Sequence, residues 1–176
     1  MELNDLEKID KKSMFKTYDI WPDIARESFE KKFEKLDVKD IDHVVFAGMG
    51  GSGSIGDTIS AILSKKDIHV SNVKGYLLPK TVDSKTLVIV TSVSGNTIET
   101  LTLLKSAHKR KCKIIGFSSG GEVLDFCTKN KIHMFVGAED QTTRALFCKD
   151  MTDSFNKFGG NASIDIYPGA YHNFDG

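Results

Sequence analysis

Three hydroxyl side chains, Ser92, Ser94 and Thr97, crowd into the run TSVSGNTIET (residues 91–100), with Gly95 between them and Glu99 just beyond. The apolar run TLVIVT (residues 86–91) leads into it, and Ile98, Leu101, Leu104 and Ala107 follow at helical spacing. A turn between a buried strand and a helix exposes the helix's first backbone N–H groups, which have no partner inside the helix and lie at the positive end of its dipole. Serine and threonine hydroxyls added to such a turn make an uncharged nest for an oxyanion. Gly95 would let the backbone come close to a bulky anion. Capping alone would need one hydroxyl, and Ser94-x-x-Thr97 is not the Ser-x-x-Glu pattern of a capping box. The chemistry indicated is the binding of a phosphate-like group.

A second glycine-rich turn, FAGMGGSGSIGD (residues 46–57), admits three chemistries. Its Gly48-x-Gly50-x-x-Gly53 spacing matches a dinucleotide fingerprint, which also requires an acidic residue at the end of the following strand to hold the ribose. That strand reads IHVSNVKGY and has no carboxylate, while Asp67 precedes it at the wrong end. A P-loop is excluded because no Gly-Lys-Ser/Thr follows. Ser54, between Ser52 and Gly56, loosely matches a nucleophile elbow, and Asp140 and His172 follow in the α/β-hydrolase order. The remaining reading makes this turn a second anion nest that shares its ligand with the first.

The elements needed to position these turns alternate in period. Helical spacing covers residues 23–36, with Trp21-Pro22 expected to start that helix, and then 54–64, 96–109, 122–129 and 144–158. Short apolar runs at 42–47, 68–76, 86–91, 113–117, 132–136 and 163–167 predict strands. Strands alternating with helices imply right-handed βαβ units. The expected fold is an α/β three-layer sandwich of Rossmann type, with a parallel sheet of five to six strands behind an N-terminal helix. Ligands of such sheets sit beyond the carboxyl ends of the strands, where both turns fall.

Composition narrows the function classes. The 176 residues carry 24 Lys+Arg against 24 Asp+Glu, so no global field draws nucleic acid or an anionic membrane. No apolar run reaches the roughly 18 residues of a membrane span, and the N-terminus has no apolar signal core, so a cytoplasmic protein is expected. Cys112, Cys127 and Cys148 lack metal-ligand spacing and read as reduced structural thiols; neither a metal nor a cofactor is expected. His43, His69, His108 and His133 have no partner spacing and read as structural. Asp57 and Glu99 read as acids that stabilise helix N-terminal turns. The basic run Lys105–Lys113 suits a helix C-terminus.

The paired motifs GMGGSGSIGD and, about forty residues later, TSVSGNTIET resemble the sugar isomerase (SIS) domain, in particular the N-terminal half of bifunctional phosphoglucose/phosphomannose isomerases. YDIWPDIARESF is similar to that family's N-terminal segment, and the likeness spans roughly residues 14–135. It implies that Gly51 and Ser52, with Ser92, Ser94 and Thr97, hold the phosphate of glucose, fructose or mannose 6-phosphate. Gly50, Gly95 and Arg144 (in TTRALF) are further candidates, and a homodimer is the implied assembly. The glutamate, histidine and lysine that the family uses for aldose–ketose isomerisation have no counterpart in this chain. The tail from VGAEDQTTRALF to YPGAYHNFDG resembles instead the end of dienelactone hydrolases, in which Asp140 and His172 would be the triad acid and base. Two sources are thereby implied: an SIS-like domain over 1–136 and a hydrolase-like tail over 137–176 packed into the same domain, as in a chimera. The alternatives to a phosphosugar isomerase are an α/β-hydrolase or a non-catalytic phosphosugar-binding module.

Overall fold

The computed structural model describes residues 9–10, 15–30, 36, 38–137 and 164–167. They fall into two compact units divided between Asp37 and Val38. In the first unit, helix α1 runs over Phe15–Glu30 and carries Pro22 in its interior. The sequence placed the helix start at Trp21-Pro22, so the start moves seven residues earlier. Proline lacks an N–H and usually breaks a helix. Upstream of it, however, Tyr18 and Trp21 continue the apolar spacing, with ring centroids 4.7 Å apart. Residues 31–35 of the expected helix lie outside the described residues.

The second unit is a sheet with helices on it. In chain order it runs β1 (His43–Gly48), α2 (Gly50–Leu63), β2 (His69–Val73), β3 (Thr86–Ser92), α3 (Ile98–Lys109), β4 (Lys113–Ser118), α4 (Gly121–Lys129), β5 (His133–Gly137) and β6 (Ile164–Tyr167). The strands lie in the order β2-β1-β3-β4-β5-β6, and every pair is parallel. The expected parallel α/β fold is therefore found. β6 pairs Ile164 with Met134 and Tyr167 with Gly137, so the last strand extends the sheet. The helix expected over 144–158, with Cys148, lies outside the described residues.

Burial explains the strand periods. β1 is buried at all six positions, as the continuous apolar run of a central parallel strand requires. β3 alternates, with Thr86, Val88, Val90 and Ser92 buried and the residues between them only partly so. The buried face meets α3 and α4 in a core that includes Val45, Ala47, Val88, Val90, Leu103, Leu104, Met134 and Cys127. Each fully buried Val or Leu there contributes about 1.5–3 kcal/mol. Cys127 belongs to this core, and burial pushes its thiol up to about 12. That matches the reading of an inert structural thiol. α2 lies on the opposite face, where the Gly56 backbone sits against the Phe46 side chain. Among the described residues no helix is long and apolar enough to cross a membrane.

Two of the histidines read as structural gain a partner that spacing along the chain does not show. His43 and His69 stand opposite each other in the β1–β2 register, with ring centroids 4.3 Å apart. Both Nε2 atoms meet the Ser71 hydroxyl, at 3.0 Å and 3.2 Å. Strand pairing creates this cluster between residues distant in sequence, which spacing along the chain cannot reveal. Burial first, and the neighbouring His69 second, push the His43 imidazole below its ordinary value, against the opposing pull of Asp42 and Asp83. The folded protein thus binds a proton at His43 less readily than the unfolded chain does. This contribution to stability is complete above the ordinary value of 6.5 and is lost as pH falls through it towards the lower folded value. Urea midpoints compared on either side of that pH should fall on acidification, and fall less for His43→Asn. An identical pH dependence in both proteins would refute the assignment.

Candidate functional site

The strand order reverses direction between β1 and β3, and this is where open α/β sheets bind ligands. Gly48 at the end of β1 lies in register with Thr91 near the end of β3. The two sequence-predicted turns consequently leave the sheet side by side. Their right-handed connections run in opposite directions, to β2 and to β4, and so place α2 and α3 on opposite faces. Both helix N-termini open at the same edge.

The first turn is shorter than the sequence suggested. α2 begins at Gly50, directly after an extended Met49, rather than at Ser54. Weak helix propensity hid this, because the glycines themselves form the first helical turn. Gly50 adopts φ +54°, a conformation that favours glycine. The first bond of the helix ladder runs from the Gly53 N–H to the Met49 carbonyl, at 3.2 Å. The N–H groups of Gly50, Gly51 and Ser52 precede that bond and so have no partner within the helix ladder. Gly51 is exposed, and a side chain built there would meet nothing within 4 Å. Ser54 lies in the next turn of the helix, and its hydroxyl donates to the Gly50 carbonyl at 3.3 Å. An elbow nucleophile needs the tip of the strand–helix turn, and Ser54 is not at that tip.

The second turn is braced from within. Ser92 is 2% exposed; its hydroxyl donates to Thr97 Oγ1 at 3.2 Å and accepts the Gly95 N–H at 3.2 Å. Ser94 is exposed, and its Oγ accepts the Asn96 N–H at 3.3 Å, which leaves the hydroxyl proton available to a ligand. Thr97 occupies the N-cap position of α3 without capping it through its side chain, so its hydroxyl proton also remains available. Leu101 N–H makes the first bond of that helix, to the Thr97 carbonyl at 2.9 Å, which leaves the N–H groups of residues 98–100 ahead of it. Thr100, in the same first turn, is fully buried and its hydroxyl has no hydrogen-bond partner.

A third turn, missed in the sequence reading, holds the second in place. Ser118-Ser119-Gly120-Gly121 links β4 to α4 and lies against residues 93–96. Ser119 N–H donates to the Val93 carbonyl at 3.0 Å, Val123 N–H to the Gly95 carbonyl at 2.9 Å, and Glu122 N–H to Asn96 Oδ1 at 3.0 Å. Gly95 has φ +68°, and a Cβ there would lie 1.6 Å from the Gly120 carbonyl oxygen. The glycine is therefore required by this docking, a different cause from the ligand approach expected of it. The signal was present as FSSGGE, one more strand-to-helix turn rich in serine and glycine.

The segment after β2 reaches both helices. Asp57 on α2 accepts from Asn72 Nδ2 at 2.9 Å and pairs with the Lys74 ammonium. Tyr76 donates its hydroxyl to Glu99 on α3 at 3.1 Å, and this bond to a carboxylate pushes the phenol up from its ordinary value. Asp57 thus serves a tie to β2 rather than the helix turn assigned to it, while Glu99 does lie in the first turn of α3. An open cleft of about 530 Å³ is lined by residues 72–79 and not by either nest. Arg144, Asp140 and His172 lie outside the described residues. Among the described residues no group of three or more His, Cys, Asp or Glu side chains could hold a metal ion.

Comparison with known proteins agrees with this geometry. The chain is 44% identical over 93 residues to the bifunctional phosphoglucose/phosphomannose isomerase of Caldicellulosiruptor bescii, a match covering 52% of this chain and 27% of that protein. It is 28% identical over 135 residues to the D-glucosamine-6-phosphate 4-epimerase of Sulfolobus acidocaldarius, covering 76% of this chain and 42% of the relative. Each match thus spans less than half of the relative's length. The crystal structure of a proposed phosphosugar isomerase from Clostridium difficile superposes with a TM-score of 0.50 at 22% identity, over 63% of this chain and 33% of that one, and agrees in fold. The SIS domain family matches residues 38–155, more than half of the sequence, and the chain belongs to that family.

Proposed function

We propose that this chain is a cytoplasmic hexose-phosphate-binding domain of an aldose–ketose isomerase, with the phosphate of glucose, fructose or mannose 6-phosphate held between the two nests. The observation that carries this reading is the side-by-side opening of α2 and α3 at the β1/β3 switch point. The N–H groups of Gly50, Gly51 and Ser52 would take one side of the phosphate. The Ser94 and Thr97 hydroxyls and the first N–H groups of α3 would take the other. Ser92 would shape the turn from below, and Gly95 would keep it docked. The relatives' names, phosphoglucose/phosphomannose isomerase among them, support a phosphorylated sugar as the ligand.

Aldose–ketose isomerisation moves a proton from the carbon beside the aldehyde onto the aldehyde carbon through an enediol, and so needs a base. The nests supply donors but no base, and we assign the base to a second domain or to a second copy in a homodimer. We assign the segment that carries β6 to the same unit as the sheet that begins with β1, because β6 pairs along β5. Arg144 is assigned to the ligand on the resemblance alone.

Calorimetric titration with glucose 6-phosphate, fructose 6-phosphate and mannose 6-phosphate, with unphosphorylated glucose as control, tests the reading. Binding that requires the phosphate is the expected result. The absence of any phosphosugar binding at millimolar ligand would sink it.

A further inference from the structure

We propose that Lys74 is the cation that neutralises the ligand's phosphate, and that Asp57 competes for it and so lowers affinity; this rests on the phosphosugar reading above. The first observation is position. Lys74 follows directly on β2, at the strand end where a dinucleotide-binding fold carries the acid that grips a ribose. A cation at this end of such a fold accommodates a phosphate instead. Its stem lies over the opening of α2: a Cβ added to Gly53 would come within 3.1 Å of Lys74 Cε and 2.7 Å of the Gly48 carbonyl oxygen. Gly53 thus leaves room for the lysine beside the turn whose N–H groups face the proposed ligand.

The second observation is the present partner. Lys74 Nζ and Asn72 Nδ2 both donate to the Asp57 carboxylate, so an anion already occupies the donors at the strand end. Both charged side chains are about half exposed, at 43% for Lys74 and 53% for Asp57. An exposed ion pair of this kind is worth little to stability, so the lysine can be given up to a stronger anion at small cost. A phosphate at the first turn of α2 carries more charge than a carboxylate and gains from the helix dipole as well. The hydroxyl and N–H donors of the nests are uncharged, so Lys74 would add a salt-dependent part to binding.

The two side chains have opposite predicted effects, which separates a ligand role from a structural one. Lys74→Met should weaken glucose 6-phosphate binding about tenfold or more and flatten its dependence on salt. Lys74→Arg should restore most of the affinity. Asp57→Asn keeps an acceptor for Asn72 but removes the competing charge, and should tighten binding severalfold. If the pair merely ties α2 to β2, both variants would weaken binding together, and that result overturns the proposal, as does unchanged affinity in Lys74→Met. Urea midpoints of all three variants, expected to stay close to the parent's for surface positions, show whether folding is intact. Lys74→Gln serves should the methionine variant misfold. A parent protein that binds neither glucose 6-phosphate nor inorganic phosphate overturns the phosphosugar reading itself and this proposal with it. Binding by the parent with no Lys74 effect overturns this proposal alone.

Discussion

Gly95→Ala is expected to destabilise the domain by more than about 3 kcal/mol and to abolish phosphosugar binding. Two costs add at this position. A non-glycine residue held at φ +68° pays about 1–2 kcal/mol for its left-handed backbone. The new methyl would also stand 1.6 Å from the Gly120 carbonyl oxygen, a backbone atom that cannot rotate away. Relief requires separating the β3–α3 turn from the β4–α4 turn, at the expense of the bonds from Ser119 to Val93, from Val123 to Gly95 and from Glu122 to Asn96. The turn that presents Ser94 and Thr97 would lose its backing. Gly51→Ala is the control, because its Cβ would meet nothing within 4 Å and alanine is the better helix former by about 1 kcal/mol. That variant should be at least as stable as the parent and yet bind ligand more weakly, since the added methyl enters the proposed phosphate space. Urea denaturation followed by circular dichroism, with titration of the folded protein, measures both. A Gly95→Ala protein with the parent's midpoint would show that the two turns are not docked as described.

The contrast between these glycines shows what the sequence could reveal. The parallel α/β fold was legible because its strands and helices differ in period, and both strand-to-helix turns were legible because a buried strand runs into serine and glycine. Helix boundaries at those nests were not. Gly50 to Gly53 have the composition of a loop, yet they form the first turn of α2, because the β1–α2 connection is only one residue long. The reason for Gly95 was likewise hidden, since it depends on Gly120, which is distant in the chain and adjacent only once β3 and β4 pair. Lys74, Asp57 and the His43–His69 pair were invisible for the same reason: each contact crosses from β2 to a neighbouring element. Pro22 shows the opposite failure, a strong local signal overruled by the helix that contains it.

Two serines two residues apart in the same turn should respond to alanine in opposite ways. Ser94 is exposed, and only the Asn96 N–H occupies its oxygen, so Ser94→Ala should leave stability within about 0.5 kcal/mol of the parent. In the proposed binding mode its free proton reaches a phosphate oxygen. A hydrogen bond to a charged group contributes about 1.5–3 kcal/mol, so its loss should weaken glucose 6-phosphate binding roughly ten- to hundredfold. Ser92 is 2% exposed, and its hydroxyl is committed to Thr97 and Gly95. Ser92→Ala leaves the Gly95 N–H only the Ser92 backbone carbonyl, at 3.1 Å, and removes the donor that orients Thr97. The expected result is a loss of about 1–2 kcal/mol in stability, the usual cost of breaking buried hydrogen bonds. The fall in affinity should be smaller than for Ser94→Ala, because the Thr97 hydroxyl can still rotate to the ligand. The ratio of the two effects, read from urea midpoints and calorimetric affinities on the same preparations, assigns each hydroxyl to ligand or to fold. If Ser92→Ala proved the stable variant and the weaker binder, the roles would be exchanged, and the phosphate would have to sit deeper in the turn than the free protons of Ser94 and Thr97 imply.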